Sequence, residues 1–234
     1  VIIRFSLKQF LLHSLPLLLT IILMAVRWYL AYSLSYRNIE ELMAERGVSV
    51  DHSTLNRWVI RYAPQLENNF RKNYKQKTGG SWRMDETYIK IKGVWHYLYR
   101  AVDKNGRTID FMLSKNRDKA SAIAFFVKAI GASGKPEKIT IDKSGANNAA
   151  LKSLNKNLNK KDKIEIRQIK YLNNVVEQDH HFIKKITKPM MGFKSFESVQ
   201  ATLTGIELHH MLRKNQHKNS EAISVFKQFC ELAA

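Results

Sequence analysis

Residues 82–113 read WRMDETYIKIKGVWHYLYRAVDKNGRTIDFML. Three runs within this stretch, Trp82–Ile91, Val94–Val102 and Arg107–Leu113, are rich in β-branched and aromatic residues, which fit a pleated, half-buried surface. Asn105-Gly106 between the last two predicts a type I′ hairpin, since both central positions of that turn need φ above zero. The expectation is three consecutive antiparallel strands. Working toward the C-terminus, a helix follows from about Asp118, with Ile123, Phe126, Val127 and Ile130 as its apolar stripe and Gly131 as its stop. Lys138–Ile141 reads as a short strand, residues 146–155 as a helix and Ile164–Ile169 as another strand. Asn174 opens a helix running to about Thr187, and a last helix covers Phe196 to Lys214. The order βββ-α-β-α-β-α-α predicts a mixed sheet with helices packed against it.

Toward the N-terminus the period changes from two to 3.6. Ile22, Ala25, Val26, Tyr29 and Leu30 give one apolar face, and Ile39, Leu42 and Met43 give a second in a helix from Tyr36 to Arg46. Gly47 supplies a turn. Asp51 is placed to cap a third helix, where Leu55, Trp58, Val59 and Tyr62 recur at helical spacing and Pro64 marks the end. This is a helix-turn-helix layout. His52, Ser53, Asn56, Arg57 and Arg61 fall on the polar side of the third helix, residue types that read base edges and phosphates. Residues 66–80 are polar and basic and end in Thr78-Gly79-Gly80, the pattern of a linker.

The chain has 234 residues, with 39 Lys and Arg against 20 Asp and Glu, a formal net charge of +19. Such an excess suits a polyanion and exceeds what a small neutral substrate requires. One cysteine, Cys230, excludes an intramolecular disulfide and a cysteine-rich zinc site. Against this basic background Gln9–Val26 is uncharged and nearly all apolar, at the lower edge of the ~17–25 residues that span a bilayer.

Three carboxylates stand out by placement. Asp85 lies inside the first strand, where an acid is costly unless paired or metal-bound. Asp142 ends the fourth, where open α/β sheets bind ligands. Glu177 lies in the first turn expected of the late helix. Hard oxygen donors suit Mg²⁺ or Mn²⁺. Each has a simpler reading: an edge-strand surface residue, a turn cap, and the Glu of a capping box with Asn174. Glu177, His180, His181 and Lys184 fall within two turns and are expected on one face, with Phe182, Ile183 and Ile186 opposite.

Thirty-four residues separate Asp142 from Glu177. With Val26-Arg27-Trp28-Tyr29-Leu30, Leu34-Ser35-Tyr36-Arg37-Asn38, Arg57-Trp58-Val59, Tyr62-Ala63-Pro64, Asp142-Lys143-Ser144, Asn174-Val175-Val176-Glu177-Gln178-Asp179-His180 and Gly192-Phe193-Lys194-Ser195-Phe196, this chain resembles the bacterial DDE transposases of the insertion sequence six family. The resemblance runs from about Ile21 through most of the chain. It implies an α/β fold: an N-terminal all-α helix-turn-helix domain (20–65), a linker (66–80), an RNase H-like mixed sheet with helices on both faces (81–190), and a C-terminal helical region (191–234). It implies a catalytic triad of Asp85, Asp142 and Glu177 holding two Mg²⁺ or Mn²⁺ ions, with Lys184 two turns beyond the Glu. Phosphate contacts are expected from Lys143, His180, His181 and Lys184.

The implied activity is cleavage of DNA at insertion-sequence ends and strand transfer into target DNA, of the replicative, cointegrate type. The implied partners are terminal inverted repeats, target DNA and further copies of the chain, in the bacterial cytoplasm at the nucleoid. The alternative is a copy that binds DNA without cleaving it. A retroviral-type integrase would need a His-His-Cys-Cys zinc module that one cysteine cannot supply. Two features depart from the family: His181 stands where the family usually has Arg, and residues 1–19 are apolar where the family has a polar lead-in. Residues 1–19 are therefore expected to be a non-native beginning, from a frameshift or an alternative start. Because Ile21–Val26 belong to the first helix of the DNA-binding domain by resemblance, membrane association is not expected.

Overall fold

The computed structural model describes residues 7–190 and 193–233, with the backbone alone for residues 7–17, Lys170 and Pro189. The first helix, α1 (Leu7–Ala31), buries Ile22, Ala25, Val26, Tyr29 and Leu30, the face its periodicity predicts, and Leu23 beside them. The expected foreign lead-in, residues 1–19, lies outside the residues described with side chains, except for Leu18 and Leu19, both exposed. No helix among the described residues is long and apolar enough to cross a membrane.

Helix α2 (Tyr36–Ala44) starts at a reciprocal cap: the Asn38 N–H donates to Ser35 Oγ at 3.1 Å, and the Ser35 N–H donates to Asn38 Oδ1 at 2.9 Å. Helix α3 (His52–Asn69) begins at Asp51, whose carboxylate accepts the N–H groups of Ser53 and Thr54. Pro64 does not end this helix; it lies within it. An interior proline costs roughly 3 kcal/mol. The stripe Leu55, Val59, Ala63, Leu66 and Phe70, all buried, offsets that cost, at ~1.5–3 kcal/mol for each large apolar side chain. The stripe also carries the chain through a π-helical turn, Phe70–Tyr74, so the linker expected over 66–80 is reduced to the segment after Tyr74. Leu66 and Phe70 are the two buried apolar residues in this otherwise polar stretch.

The second unit begins at Lys75. Strands β1 (Ser81–Ile91), β2 (Val94–Asp103) and β3 (Thr108–Ser114) form the expected antiparallel meander. The type I′ turn, however, sits at the other hairpin. Lys92 (φ 48°) and Gly93 (φ 82°) both take left-handed values, and Ile91 pairs directly with Val94. At Asn105-Gly106 only the glycine is left-handed. There a three-residue loop closes with the Gly106 N–H donating to the Asp103 carbonyl, while the Asp103 carboxylate accepts the N–H groups of Asn105 and Arg107.

Helix α4 (Lys119–Ser133) is capped by Asp118 and passes Gly131, ending at Gly134 (φ 83°), whose N–H reaches the Ile130 carbonyl. Then come β4 (Lys138–Thr140), α5 (Gly145–Asn155), β5 (Glu165–Arg167) and α6 (Lys170–Thr187). The strand order is β3-β2-β1-β4-β5, with β4 parallel to both β1 and β5. One sheet face packs Trp82, Met84 and Tyr99 against Phe125, Phe126, Ala129 and Leu151 of α4 and α5. Side chains alternate along a strand. Asp85 therefore faces the other way, toward α6. This is the expected α/β architecture with helices on both faces.

Helices α7 (Phe196–Arg213) and α8 (Val225–Glu231) follow. From Ala201 onward the chain joins the unit of α1–α3. A Cβ on Gly205 would lie 2.5 Å from Leu30 Cδ1 and 2.9 Å from Ala63 Cβ, so a glycine is what lets α7 approach α1 and α3. His217 stacks on Tyr74, ring centroids 4.8 Å apart, in the same unit.

Candidate active site

The parallel pairing of β1 and β4 sets the site. Arg83 pairs with Thr140, the last residue of β4; Asp85 stands two residues further along β1, and Asp142 two residues past the end of β4. Their carboxylates converge with that of Glu86: one oxygen of each of the three lies within 4.8 Å of the others. Asp142 Oδ1 accepts the Ser144 N–H at 2.9 Å, so the turn that follows β4 fixes this carboxylate.

Glu86 was not among the expected site residues. Neighbours in a strand point to opposite faces, so Glu86 reaches the site from the face opposite Asp85. The Glu86 side chain is 2% exposed. Its Oε1 accepts from Asn147 Nδ2 at 2.9 Å, and its Oε2 lies 3.4 Å from Arg117 Nη2. Burial pushes its carboxyl above the ordinary value, against the pull of Asn147 and Arg117. Arg117 Nη2 also lies 3.5 Å from Asp142 Oδ2, so one guanidinium spans two of the three acids. Desolvation lowers the pKa of Arg117, but Glu86, Tyr88 and Asp142 together raise it above the ordinary value.

On the other face, α6 meets β1 through His180. Its Nε2 lies 3.2 Å from Asp85 Oδ2, and its Nδ1 lies 3.4 Å from Arg100 Nη1. Arg100 is fully buried, donates from Nη2 to Asp179 Oδ2 at 2.7 Å and stands directly across from Asp85 on β2. Asn173 Nδ2 donates to the Met84 carbonyl at 3.2 Å, a second tie between α6 and β1. Arginine only donates, so Nδ1 of His180 accepts and Nε2 carries the hydrogen toward Asp85.

The late helix differs from expectation in two ways. It starts at Lys170, so Asn174 and Glu177 lie inside it and form no capping box. His180 does not share a face with Glu177, His181 and Lys184. It is 5% exposed and lies on the buried stripe with Asn173, Val176 and Ile183. The phosphate contact expected of it has no open surface to be made from. Glu177, His181 and Lys184 form an exposed strip beside it, and Lys143 is exposed after Asp142. Glu177 stands one turn before His180, outside the close cluster of Asp85, Glu86 and Asp142.

In the helix-turn-helix, His52, Ser53, Arg57 and Arg61 are exposed and Asn56 is half-buried. Four of them are engaged locally. His52 Nδ1 lies 3.2 Å from Glu40 Oε2, and the Ser53 hydroxyl bonds the capping Asp51. Arg57 Nη2 donates to Thr54 Oγ1 at 2.7 Å, and the Arg61 guanidinium lies 5.5 Å from the Tyr62 ring centroid.

A family model described as a DDE domain matches residues 79–216. The chain is 44% identical over 206 residues to the transposase for insertion sequence-like element IS431mec of Staphylococcus aureus, covering 88% of each chain. It is 43% identical over the same length to the transposase for insertion sequence element IS257 in transposon Tn4003 of Staphylococcus aureus, again covering 88% of each. Among solved structures it is similar to the HTLV-2 integrase catalytic core domain in complex with magnesium, at 20% identity and a TM-score of 0.43, over 56% of this chain and 86% of that one. The matched domain spans the whole five-stranded sheet with Asp85 and Asp142, and the 206 residues aligned to the relatives reach beyond it. The chain belongs to the DDE transposases of the insertion sequence six family, enzymes of polynucleotidyl transfer.

Proposed function

We propose that this transposase cleaves DNA at the ends of its element and joins the freed strand to target DNA, in a replicative, cointegrate-type reaction. The observation that carries the reading is the parallel pairing of β1 and β4, two interior strands, which brings Asp85 and Asp142 together beside the face of β1 on which α6 docks. Carboxylate oxygens suit Mg²⁺ or Mn²⁺, and Asp85, Asp142 and Glu177 are the residues assigned to hold two such ions. Glu86 is the poorer ligand, because both its oxygens already face donors and its burial favours the neutral form. When bound, the ions supply an activated water and charge stabilisation at the leaving oxygen.

The chain's own residues do the rest. His180 and Arg100 hold Asp85 in orientation, and the Ser144 N–H holds Asp142. Lys143, next to Asp142, and His181 and Lys184, on the exposed strip of α6 with Glu177, are assigned to phosphates. Asn56, Arg57 and Arg61 are assigned to the terminal inverted repeats, with His52 and Ser53 at the capped end of the same helix. The working form is an oligomer on DNA.

The test is cleavage of a plasmid carrying the element's ends. Asp85→Ala, Asp142→Ala and Glu177→Ala each abolish cleavage while leaving end binding intact. A wild-type chain that binds the ends and never cleaves them would instead support the binding-only reading.

A further inference from the structure

One face of the β1–β2 hairpin runs outward from the carboxylates as an aromatic ladder. Its cross-strand pairs are Glu86 with Tyr99, Tyr88 with Tyr97, and Lys90 with Trp95. Tyr88 is 51% exposed and Trp95 is 55% exposed. The Tyr88 ring centroid lies 5.4 Å from that of Tyr97 and 6.1 Å from that of Trp95, and Lys90 Nζ lies 5.4 Å from the Trp95 centroid. The opposite face of the same ribbon is buried through Ile89 and Ile91. The aromatic face is continuous with the site: Arg117 donates from Nη1 to the Tyr88 hydroxyl at 3.5 Å, and its Nη2 reaches Glu86 and Asp142.

Stability alone does not account for this face. A cross-strand pair contributes roughly 0.2–1 kcal/mol, and rings placed for packing would be covered. Instead, two large rings remain half in water beyond the stretch that β3 and β4 cover, on a ribbon stiffened by a two-residue type I′ turn. Residues 87–97 contain Lys90 and Lys92 and no acid, so two copies of this face repel and a polyanion is attracted. Aromatic faces beside lysines fit unpaired nucleotides, because every base has a π-face to stack and every linkage a phosphate. A paired duplex keeps those π-faces covered.

We infer that Tyr88 and Trp95 form a stacking platform for unpaired nucleotides flanking the phosphate held at the carboxylates, with Lys90 on their backbone. This rests on the reading that the site acts on DNA. It adds where a strand lies once it leaves the duplex.

The test uses the full chain and a fluorescein-labelled decathymidylate, followed by anisotropy. Trp95→Ala and Tyr88→Ala each weaken binding about tenfold, while Trp95→Phe stays within about threefold. Lys90→Ala makes the dependence of log K on log salt shallower by about 0.7. A decathymidylate carrying 5-iodouracil crosslinks within residues 88–97. Circular dichroism of the alanine variants matches wild type, as their exposure requires. The platform is overturned if Trp95→Ala binds decathymidylate as wild type does, whether or not its oligomeric state changes. It is equally overturned if a duplex of the same length loses as much affinity as the single strand. Either result, beside wild-type chain that still cleaves ends, leaves the cleavage reading standing. Trp95-dependent binding by a chain that never cleaves sinks the cleavage reading alone.

Discussion

His180 Nε2 lies 3.2 Å from Asp85 Oδ2, with the buried Arg100 behind its other ring nitrogen. Such a partner orients a ligand without touching the substrate, and losing one typically costs 10–100-fold in metal affinity or activity. His180→Ala should lower end cleavage by about that factor and raise the Mg²⁺ concentration needed for half-maximal rate. His180→Gln retains an N–H donor and should recover part of the loss. An unchanged Mg²⁺ dependence in His180→Ala would show that Asp85 needs no such support.

Gly205 makes the opposite prediction from helix propensity. In an exposed helix interior, Gly→Ala stabilises by about 1 kcal/mol. Here the new methyl meets Leu30 and Ala63 at less than 3 Å. Leu30 can turn aside, but the Ala63 Cβ moves only with its helix. Overpacking of this kind costs about 1–3 kcal/mol. Gly205→Ala should therefore unfold at lower denaturant concentration than wild type, and a rise in the midpoint would contradict the close packing of α7 on α1 and α3.

Stability should fall with acid through His209. Burial, with help from Arg27, Arg213 and His210, pushes its pKa down from 6.5 to about 3. The folded chain keeps this imidazole neutral where the unfolded chain protonates it. The contribution is complete above about pH 6.5 and is lost as pH falls toward 3, at up to ~1.4 kcal/mol per pH unit. Urea titrations from pH 7 to 4 should give a flatter slope for His209→Gln than for wild type; parallel slopes would place the acid sensitivity elsewhere.

Much of this was legible in the sequence because it depends on local pattern. The order of strands and helices follows from period two against period 3.6, and Asp51 and Asp118 cap the helices their positions announced. The misread points are those where distant packing decides. Pro64 is overridden by buried Leu66 and Phe70. Asn105-Gly106 lost the type I′ turn to Lys92-Gly93, where two paired strands meet without a bulge. Glu86 enters the site from the face that strand alternation assigns to the core, drawn by Asn147, 61 residues away. His180 moved from an exposed strip to a buried one, a shift of one position around α6 that only the sheet beneath it reveals.

The sharpest division lies between Glu86, inside the close cluster with Asp85 and Asp142, and Glu177, outside it. Single-turnover cleavage of end DNA in Mg²⁺ by Glu177→Gln, beside Glu86→Gln and wild type, tests the proposed site directly. With Glu177 as the third metal carboxylate, Glu177→Gln loses about a thousandfold or more, ~4 kcal/mol of barrier, while Glu86→Gln stays within about tenfold. The reverse order, with Glu177→Gln cleaving at the wild-type rate and Glu86→Gln inert, would contradict the assignment and place the metal in the close cluster of Asp85, Glu86 and Asp142.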